Sequence, residues 1–169
     1  STHTALWHDL LHTPYLNGDL NLVAQKNGQP VVYGIPWCGT SQISTAKTYP
    51  LGGIVLLGRA DIDYLVDLEH YEKVLQVMQR MISPSWSASL MEWNLDFAHI
   101  LADTIPIYKL MCTKNPSALE VIKTQIDTLS LLQKQTWHGK QFSTSGLFFT
   151  SYSQFLTVSG EWLHIPVCY

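Results

Sequence analysis

Charged residues are scarce in this sequence, and basic residues form no cluster. Charged side chains make up 14% of the chain, and the formal net charge is −3. A protein that holds a nucleic-acid backbone needs a concentrated basic surface, because lysine and arginine supply most of the affinity for phosphates. The composition therefore argues against nucleic acid as a partner.

Cysteines are also few, and no hydrophobic run is long. The three cysteines, Cys38, Cys112 and Cys168, lie far apart and form no C-x-x-C spacing, so neither a disulfide framework nor a thiolate zinc site is predicted. No apolar run reaches the roughly 20 residues of a membrane-spanning helix, and Ser1 opens a polar stretch unlike a signal peptide. These features favour a cytoplasmic protein without a membrane partner.

Strand patterns are clearest in the first half of the chain. Residues 20–25 and 31–33 flank Asn27-Gly28, a dipeptide that tolerates the positive φ angles of a tight hairpin turn. The continuous apolar run 54–57 predicts a strand covered on both faces, and residues 105–110 have the alternation of another strand. We expect the last two strands to share one sheet that helices cover.

Helical spacing occurs four times along the chain. A short helix is predicted over residues 4–11, and a longer one over residues 116–134, where Asn115 is a suitable cap. Between them lie two amphipathic helices, each with an apolar stripe that we assign to the core. The two stripes are Tyr71, Val74, Leu75, Met78 and Ile82, and then Trp86, Leu90, Trp93, Phe97 and Leu101.

The composition divides the chain into two parts. Residues 1–135 contain both helical and strand patterns, which fit one α/β domain. Residues 136–169 are rich in Ser, Thr, Phe, Tyr and Trp and read as a β-rich tail, either part of the same domain or an extension. The tail also fits strands that would normally come before the first helix along the chain, which would make this sequence a circular permutant.

Four polar residues stand at the start of the first predicted helix: Ser1, Thr2, His3 and Thr4. A helix N-terminus presents free backbone N–H groups to phosphates, and a hydroxyl in its first turn is a suitable magnesium ligand. Hydroxyl residues at this position are, however, also common as simple helix caps. The motif gains weight only from the segments that follow it.

Those segments come in a recognisable order. They are Leu16-Asn17-Gly18-Asp19, Tyr33-Gly34-Ile35-Pro36-Trp37, Tyr49-Pro50-Leu51 before the strand at 54–57, and the strand at 105–110 before Asn115-Pro116. With the Ser1-Thr2 motif, they make residues 1–127 resemble the HPr-kinase-like P-loop kinases, relatives of the phosphoenolpyruvate carboxykinases. The resembling part is the portion that follows the phosphate-binding lysine. The resemblance implies the C-terminal domain of that family, a mixed β-sheet with flanking helices.

The resemblance also implies a function. It predicts a nucleotide-dependent phosphotransferase that uses ATP and Mg²⁺ on a serine-type hydroxyl of a protein or peptide, or a portion of such an enzyme, in a homo-oligomer. Asp19 is the implied catalytic residue, and Ser1, Thr2 and Asp19 are the implied metal ligands. The residues expected to bind the nucleotide are Ser1, Thr2, His3, Thr4, Trp37, Lys47 and Arg59.

Three departures from the family pattern keep another function open. Gly18 stands where the first residue of an acidic pair is expected, and Gly52 stands where relatives commonly have lysine. The sequence contains no G-x-x-x-x-G-K-[ST] phosphate loop. A catalytically inactive, kinase-like module for binding or assembly is therefore the alternative, and an unrelated α/β binding domain is the third hypothesis.

Overall fold

The computed structural model describes residues 2–14, 16–17, 20–37, 42–133, 147–151 and 154–156. Side chains are described for residues 6–14, 16–17, 20–37 and 42–128. Within these ranges the chain forms four helices and two small sheets, one of them mixed, which confirms the predicted mixed α/β class. No helix in the described part is long and apolar enough to cross a membrane.

Five consecutive strands follow the first helix, and the other helices come after them. The helices are α1 (Thr2–Leu11), α2 (His70–Met78), α3 (Ala88–Thr104) and α4 (Ser117–Gln133). The strands are β1 (Leu20–Lys26), β2 (Gln29–Tyr33), β3 (Thr48–Pro50), β4 (Gly53–Arg59), β5 (Tyr64–Val66), β6 (Ile107–Cys112), β7 (Leu147–Ser151) and β8 (Gln154–Leu156).

The first sheet is antiparallel and has the order β3-β2-β1-β7. Its centre is the predicted hairpin of β1 and β2, in which Val23 pairs with Val32. Asn27 and Gly28 both have positive φ, 53° and 78°, so the turn has the handedness that fits the twist of the two strands. The hairpin prediction is confirmed.

The second sheet is mixed and has the order β5-β6-β4-β8. Strands β4 and β6 run parallel, with Ile54 opposite Ile107, so the two predicted core strands do share a sheet. Ile54 packs in a cluster with residues of α2 and α3, whereas the next residue, Val55, packs with residues of α1 and α4. The strand is therefore covered on both faces, as its continuous apolar sequence predicts.

Strands β7 and β8 come from the region predicted as a β-rich tail. Strand β7 pairs with β1 in the first sheet, and β8 pairs with β4 in the second. Residues 157–169, which include the apolar segment 163–165, lie outside the described residues. Each sheet thus receives one strand from the end of the chain.

The core faces of α2 and α3 differ from the predicted stripes. In α2 the buried residues are Val74 and Val77, while Tyr71 and Leu75 are exposed. In α3 Phe97 and Leu101 are buried as expected, but the assignment of Trp86 and Trp93 to the core is wrong, since both are exposed. Their exposed fractions are 85% and 61%.

A buried asparagine sets the rotation of α3. The side-chain nitrogen of Asn94 donates to the Ile82 carbonyl at 3.2 Å and to the Ser83 hydroxyl at 2.9 Å. A buried amide is stable only when its hydrogen bonds are made, so this contact turns Asn94 inward. Trp93, the preceding residue, is thereby directed outward, because adjacent helical residues are about 100° apart.

The rotation of α3 can be tested with a matched pair of substitutions. We expect Phe97→Ala to lower the free energy of unfolding by about 3–5 kcal/mol, because it empties part of the core. Trp93→Ala should change it by less than about 1 kcal/mol, because the indole is exposed. Chemical denaturation followed by far-ultraviolet circular dichroism measures both, and equal losses would contradict the observed rotation.

Candidate functional site

The buried side chain of Asn17 joins two of the segments that carry the kinase-like motifs. Its Nδ2 donates to the carbonyls of Ile35 at 2.7 Å and Trp37 at 2.9 Å, and its Oδ1 accepts from the backbone N–H of Leu20 at 3.2 Å. Asn17 has no exposed surface. A loop rich in proline and glycine makes few regular backbone bonds, so this amide fixes its course.

A third segment, residues 44–47, joins the same place. The N–H and hydroxyl of Thr45 both donate to the Leu16 carbonyl, at 2.9 and 3.2 Å. The N–H of Gly34 donates to the Lys47 carbonyl at 2.9 Å. Residues 16–17, 34–37 and 44–47 therefore form one hydrogen-bonded cluster, which we name the Asn17 junction.

Gly34 is required where these segments meet. A Cβ atom at this position would overlap the Thr45 carbonyl oxygen and press on the Leu16 side chain. A backbone oxygen that is fixed by the surrounding chain cannot move aside cheaply. The glycine of the predicted Gly-x-Pro-Trp loop therefore permits the close approach of two backbones.

The junction carries two of the predicted nucleotide-binding residues. The indole of Trp37 is 61% exposed, and Lys47 is also exposed. Both therefore lie on segments of the same cluster, with side chains open to solvent. An exposed tryptophan and a nearby lysine are groups that a nucleotide base and a phosphate, respectively, could contact.

The other predicted site residues are placed differently. Thr2, His3 and Thr4 lie in the first turn of α1, as predicted, although their side chains are not among those described. Ser1 and Asp19 lie outside the described residues, so their proposed roles stay predictions. Arg59 is the last residue of β4, about 20 Å along that strand from Gly53.

A second polar cluster, which the sequence patterns did not indicate, lies at the carboxyl ends of β4 and β6. The carboxylate of Asp63 accepts from the N–H of Thr113 at 2.6 Å, from the Thr113 hydroxyl at 3.4 Å and from the Ser117 hydroxyl. It thereby caps the connection from β6 into α4. Thr113 and Ser117 are recognisable as hydroxyl residues at the start of a helix, but Asp63 is 50 and 54 positions away from them in sequence.

Burial perturbs the pKa of two side chains on β6, and charge adds to the effect at one of them. Burial, together with the negative charge of Asp63, raises the pKa of the Cys112 thiol from 9.0 to about 11. Burial also raises the pKa of Tyr108, an effect that a hydrogen bond with Gln125 partly offsets. Cys112 donates to the Gly58 carbonyl at 3.5 Å. The thiol is thus a protonated core group at neutral pH, whereas a nucleophilic cysteine needs a lowered pKa.

The part of the chain that the structure describes offers few side chains arranged to bind a metal ion. No group of three His, Cys, Asp or Glu side chains within it could hold a metal ion. The donors implied for Mg²⁺ are two hydroxyls and one carboxylate, which suit a hard cation that prefers oxygen ligands. Of these three residues, only Thr2 is among those described, through its backbone.

The requirement for glycine at the Asn17 junction predicts an asymmetry between two alanine variants. Gly34→Ala should destabilise the fold by more than about 3 kcal/mol, because the new methyl group meets backbone atoms. Gly58→Ala should cost about 1 kcal/mol, since the added Cβ meets the flexible end of the Met111 side chain. Thermal and chemical denaturation measure the stability lost in each variant. A larger loss for Gly58→Ala than for Gly34→Ala would disprove the close approach at Gly34.

The influence of Asp63 on the thiol can be measured directly. In a background with Cys38→Ser and Cys168→Ser, ultraviolet absorbance of the thiolate should give a titration midpoint near pH 11 for Cys112. Asp63→Asn removes a negative charge that disfavours the thiolate, so the midpoint should fall while burial keeps it above 9.0. An unchanged midpoint in a folded Asp63→Asn protein would show that the thiol does not sense this carboxylate.

Comparisons with known proteins give no match to this chain. No family model, no curated protein and no solved structure matches it. The functional argument therefore depends on the residues and contacts described above.

Proposed function

We propose that this chain is a kinase-like phosphotransferase, or the larger portion of one, that transfers a phosphoryl group from ATP to a hydroxyl of a protein or peptide. The observation that carries the proposal is the Asn17 junction. Two segments that resemble family motifs, residues 16–17 and 34–37, meet there with residues 44–47, which include Lys47, through side-chain and backbone hydrogen bonds. The β1–β2 hairpin brings residues 16–17 and 34–37 near each other, and the hydrogen bonds of Asn17 and Thr45 join all three segments.

The arrangement of elements supports the finer fold assignment that belongs to the proposal. A mixed sheet with a central parallel pair and helices on both faces is compatible with the C-terminal domain of the HPr-kinase-like family. Helix α1 begins at Thr2, so the implied phosphate-binding turn lies at a helix N-terminus, where the helix dipole favours anions.

Each implied residue has a definite role in the proposal. The first turn of α1 binds the phosphates through backbone N–H groups, and Trp37 contacts the nucleotide, with Lys47 or Arg59 as a phosphate-facing cation. Asp19 accepts the proton of the attacking hydroxyl or binds Mg²⁺. Because Gly18 stands where the first residue of the acidic pair is expected, a single carboxylate has to perform both functions. Bound Mg²⁺ supplies neutralisation of the phosphate charge.

The absence of a glycine-lysine loop from the sequence sets the expected activity. Phosphoryl transfer depends on stabilising negative charge on the transferred group, and a lysine with preorganised backbone amides supplies much of that stabilisation. We therefore expect negligible transfer by the 169-residue chain and binding of Mg-ATP weaker than about micromolar.

The test restores the loop and then removes one charge. A G-x-x-x-x-G-K sequence placed before Ser1 should give transfer of radiolabelled phosphate from ATP to a serine-containing acceptor. Asp19→Asn in that protein should abolish transfer and leave nucleotide binding, measured by calorimetry, nearly unchanged, because the amide keeps the shape but loses the charge. Asp9→Asn, on the surface of α1, is the matched control.

Two outcomes would contradict the proposal. An active Asp19→Asn protein would remove Asp19 from the mechanism. A folded protein with the loop restored that neither binds nucleotide nor transfers phosphate would instead favour the inactive, kinase-like binding module.

A further inference from the structure

Four exposed apolar side chains lie within twelve residues of one another in sequence where α2 connects to α3. They are Ile82, Trp86, Leu90 and Trp93, and we name them the outer patch. Trp86 is exposed over 85% of its surface, more than any other large hydrophobic side chain in the described part. Tryptophan is costly to leave in water, because it presents the largest apolar area of any residue. Several exposed large apolar side chains in one short stretch of chain indicate an interaction surface.

Hydrogen bonds hold the outer patch in one place. The two bonds donated by the buried Asn94 tie Ile82 and Ser83 to the turn of α3 that carries Trp93. Trp86 directly precedes the helix cap Ser87, whose hydroxyl accepts from the N–H of Leu90 at 3.4 Å. Leu90 and Trp93 are three residues apart on α3 and therefore neighbours on its surface. The patch is thus presented by ordered backbone.

The helix that carries the patch has three acidic residues, one histidine, His99, and no lysine or arginine of its own. From residue 81 to residue 104 the chain contains Glu92, Asp96 and Asp103 but no lysine or arginine. Glu92 and Asp96 are exposed and lie one turn apart, next to Trp93 in sequence and space. These two carboxylates make the surface negatively charged. Because like charges at this spacing repel each other, a cationic partner that neutralises them is favoured.

We propose that the outer patch is a docking surface for a basic amphipathic helix of another protein, with apolar side chains on one face and Lys or Arg beside them. The apolar face would cover Trp86 and Trp93, since tryptophan is among the residue types enriched at interface hot spots. The basic residues would meet Glu92 and Asp96. A helix is the fitting element because the patch lies on helical structure and offers no sheet edge for an added strand.

Charge selects this occupant over the others. A second copy of the chain that docked through the same patch would bring Glu92 and Asp96 against identical carboxylates, which is unfavourable. Anionic lipid and nucleic acid are repelled for the same reason. The proposal does not depend on phosphoryl transfer, because every residue it uses lies outside the Asn17 junction.

The test uses a synthetic peptide as the probe. A fluorescently labelled, amidated peptide of about 14 residues, or four helical turns, would carry leucine along one helical face and lysine elsewhere. Two matched peptides serve as controls, one with glutamate in place of every lysine and one with the same composition scrambled to remove the apolar face. Fluorescence anisotropy at low salt measures their binding to the whole chain.

We expect the lysine–leucine peptide to bind and both control peptides to bind at least about tenfold more weakly. Trp86→Ala with Trp93→Ala should weaken binding about tenfold or more, whereas Ile62→Ala, which removes an apolar side chain that is 70% exposed and lies outside the patch, should not. Glu92→Lys with Asp96→Lys should reverse the preference between the lysine and glutamate peptides. Circular dichroism confirms that each variant is folded.

Four results would each overturn the proposal. The first is no binding of the lysine–leucine peptide, and the second is equal binding of the scrambled peptide. The third is a dimer, seen by sedimentation, that Trp86→Ala with Trp93→Ala dissociates, since the occupant would then be a second copy. The fourth is tighter binding to vesicles of anionic phospholipid than to the peptide.

Discussion

The parallel pairing of β4 with β6 is the constraint on which the rest of the structure depends. Six residue pairs align the two strands from Ile54 opposite Ile107 to Arg59 opposite Cys112. Parallel strands require a long crossover, and here α2 and α3 supply it and cover one face of the sheet. Helices α1 and α4 cover the other face. The first sheet joins the same core, because Val23 and Val32 pack in one cluster with Ile54.

Polar contacts complete what apolar packing cannot specify. Burial of hydrophobic area is non-directional, so it brings loops together without fixing their course. Asn17 fixes the loop that carries Trp37, and Asp63 fixes the entry into α4. Asn94 fixes the rotation of α3. Each of these side chains would be costly to bury without its partners, so each selects one arrangement of its neighbours.

The Asn17 junction and the outer patch belong to different parts of the fold. The junction is built from connections of the first sheet, whereas the outer patch lies on the crossover between β4 and β6. A partner bound to α3 would therefore not need any residue that the proposed phosphoryl transfer uses. This division is compatible with a protein that recognises its acceptor through one surface and acts on it at another, and equally with a module that retains only recognition.

The sequence by itself determined the features that depend on neighbours along the chain. Asn27-Gly28 predicted its hairpin because few other dipeptides adopt two positive φ angles readily, and the apolar run at 54–57 predicted a doubly covered strand because every residue in it needs cover. The core face of α3 was different: Leu90, Trp93 and Phe97 are all apolar, so periodicity alone allowed more than one rotation. Tertiary structure chose between them through the hydrogen bonds of Asn94 to Ile82 and Ser83. Tertiary structure also decided the contacts of Asp63 and the hydrogen bonds that join residues 16–17, 34–37 and 44–47. Hydrogen bonds between distant segments depend on how the chain packs, so they leave no periodic signal in the sequence.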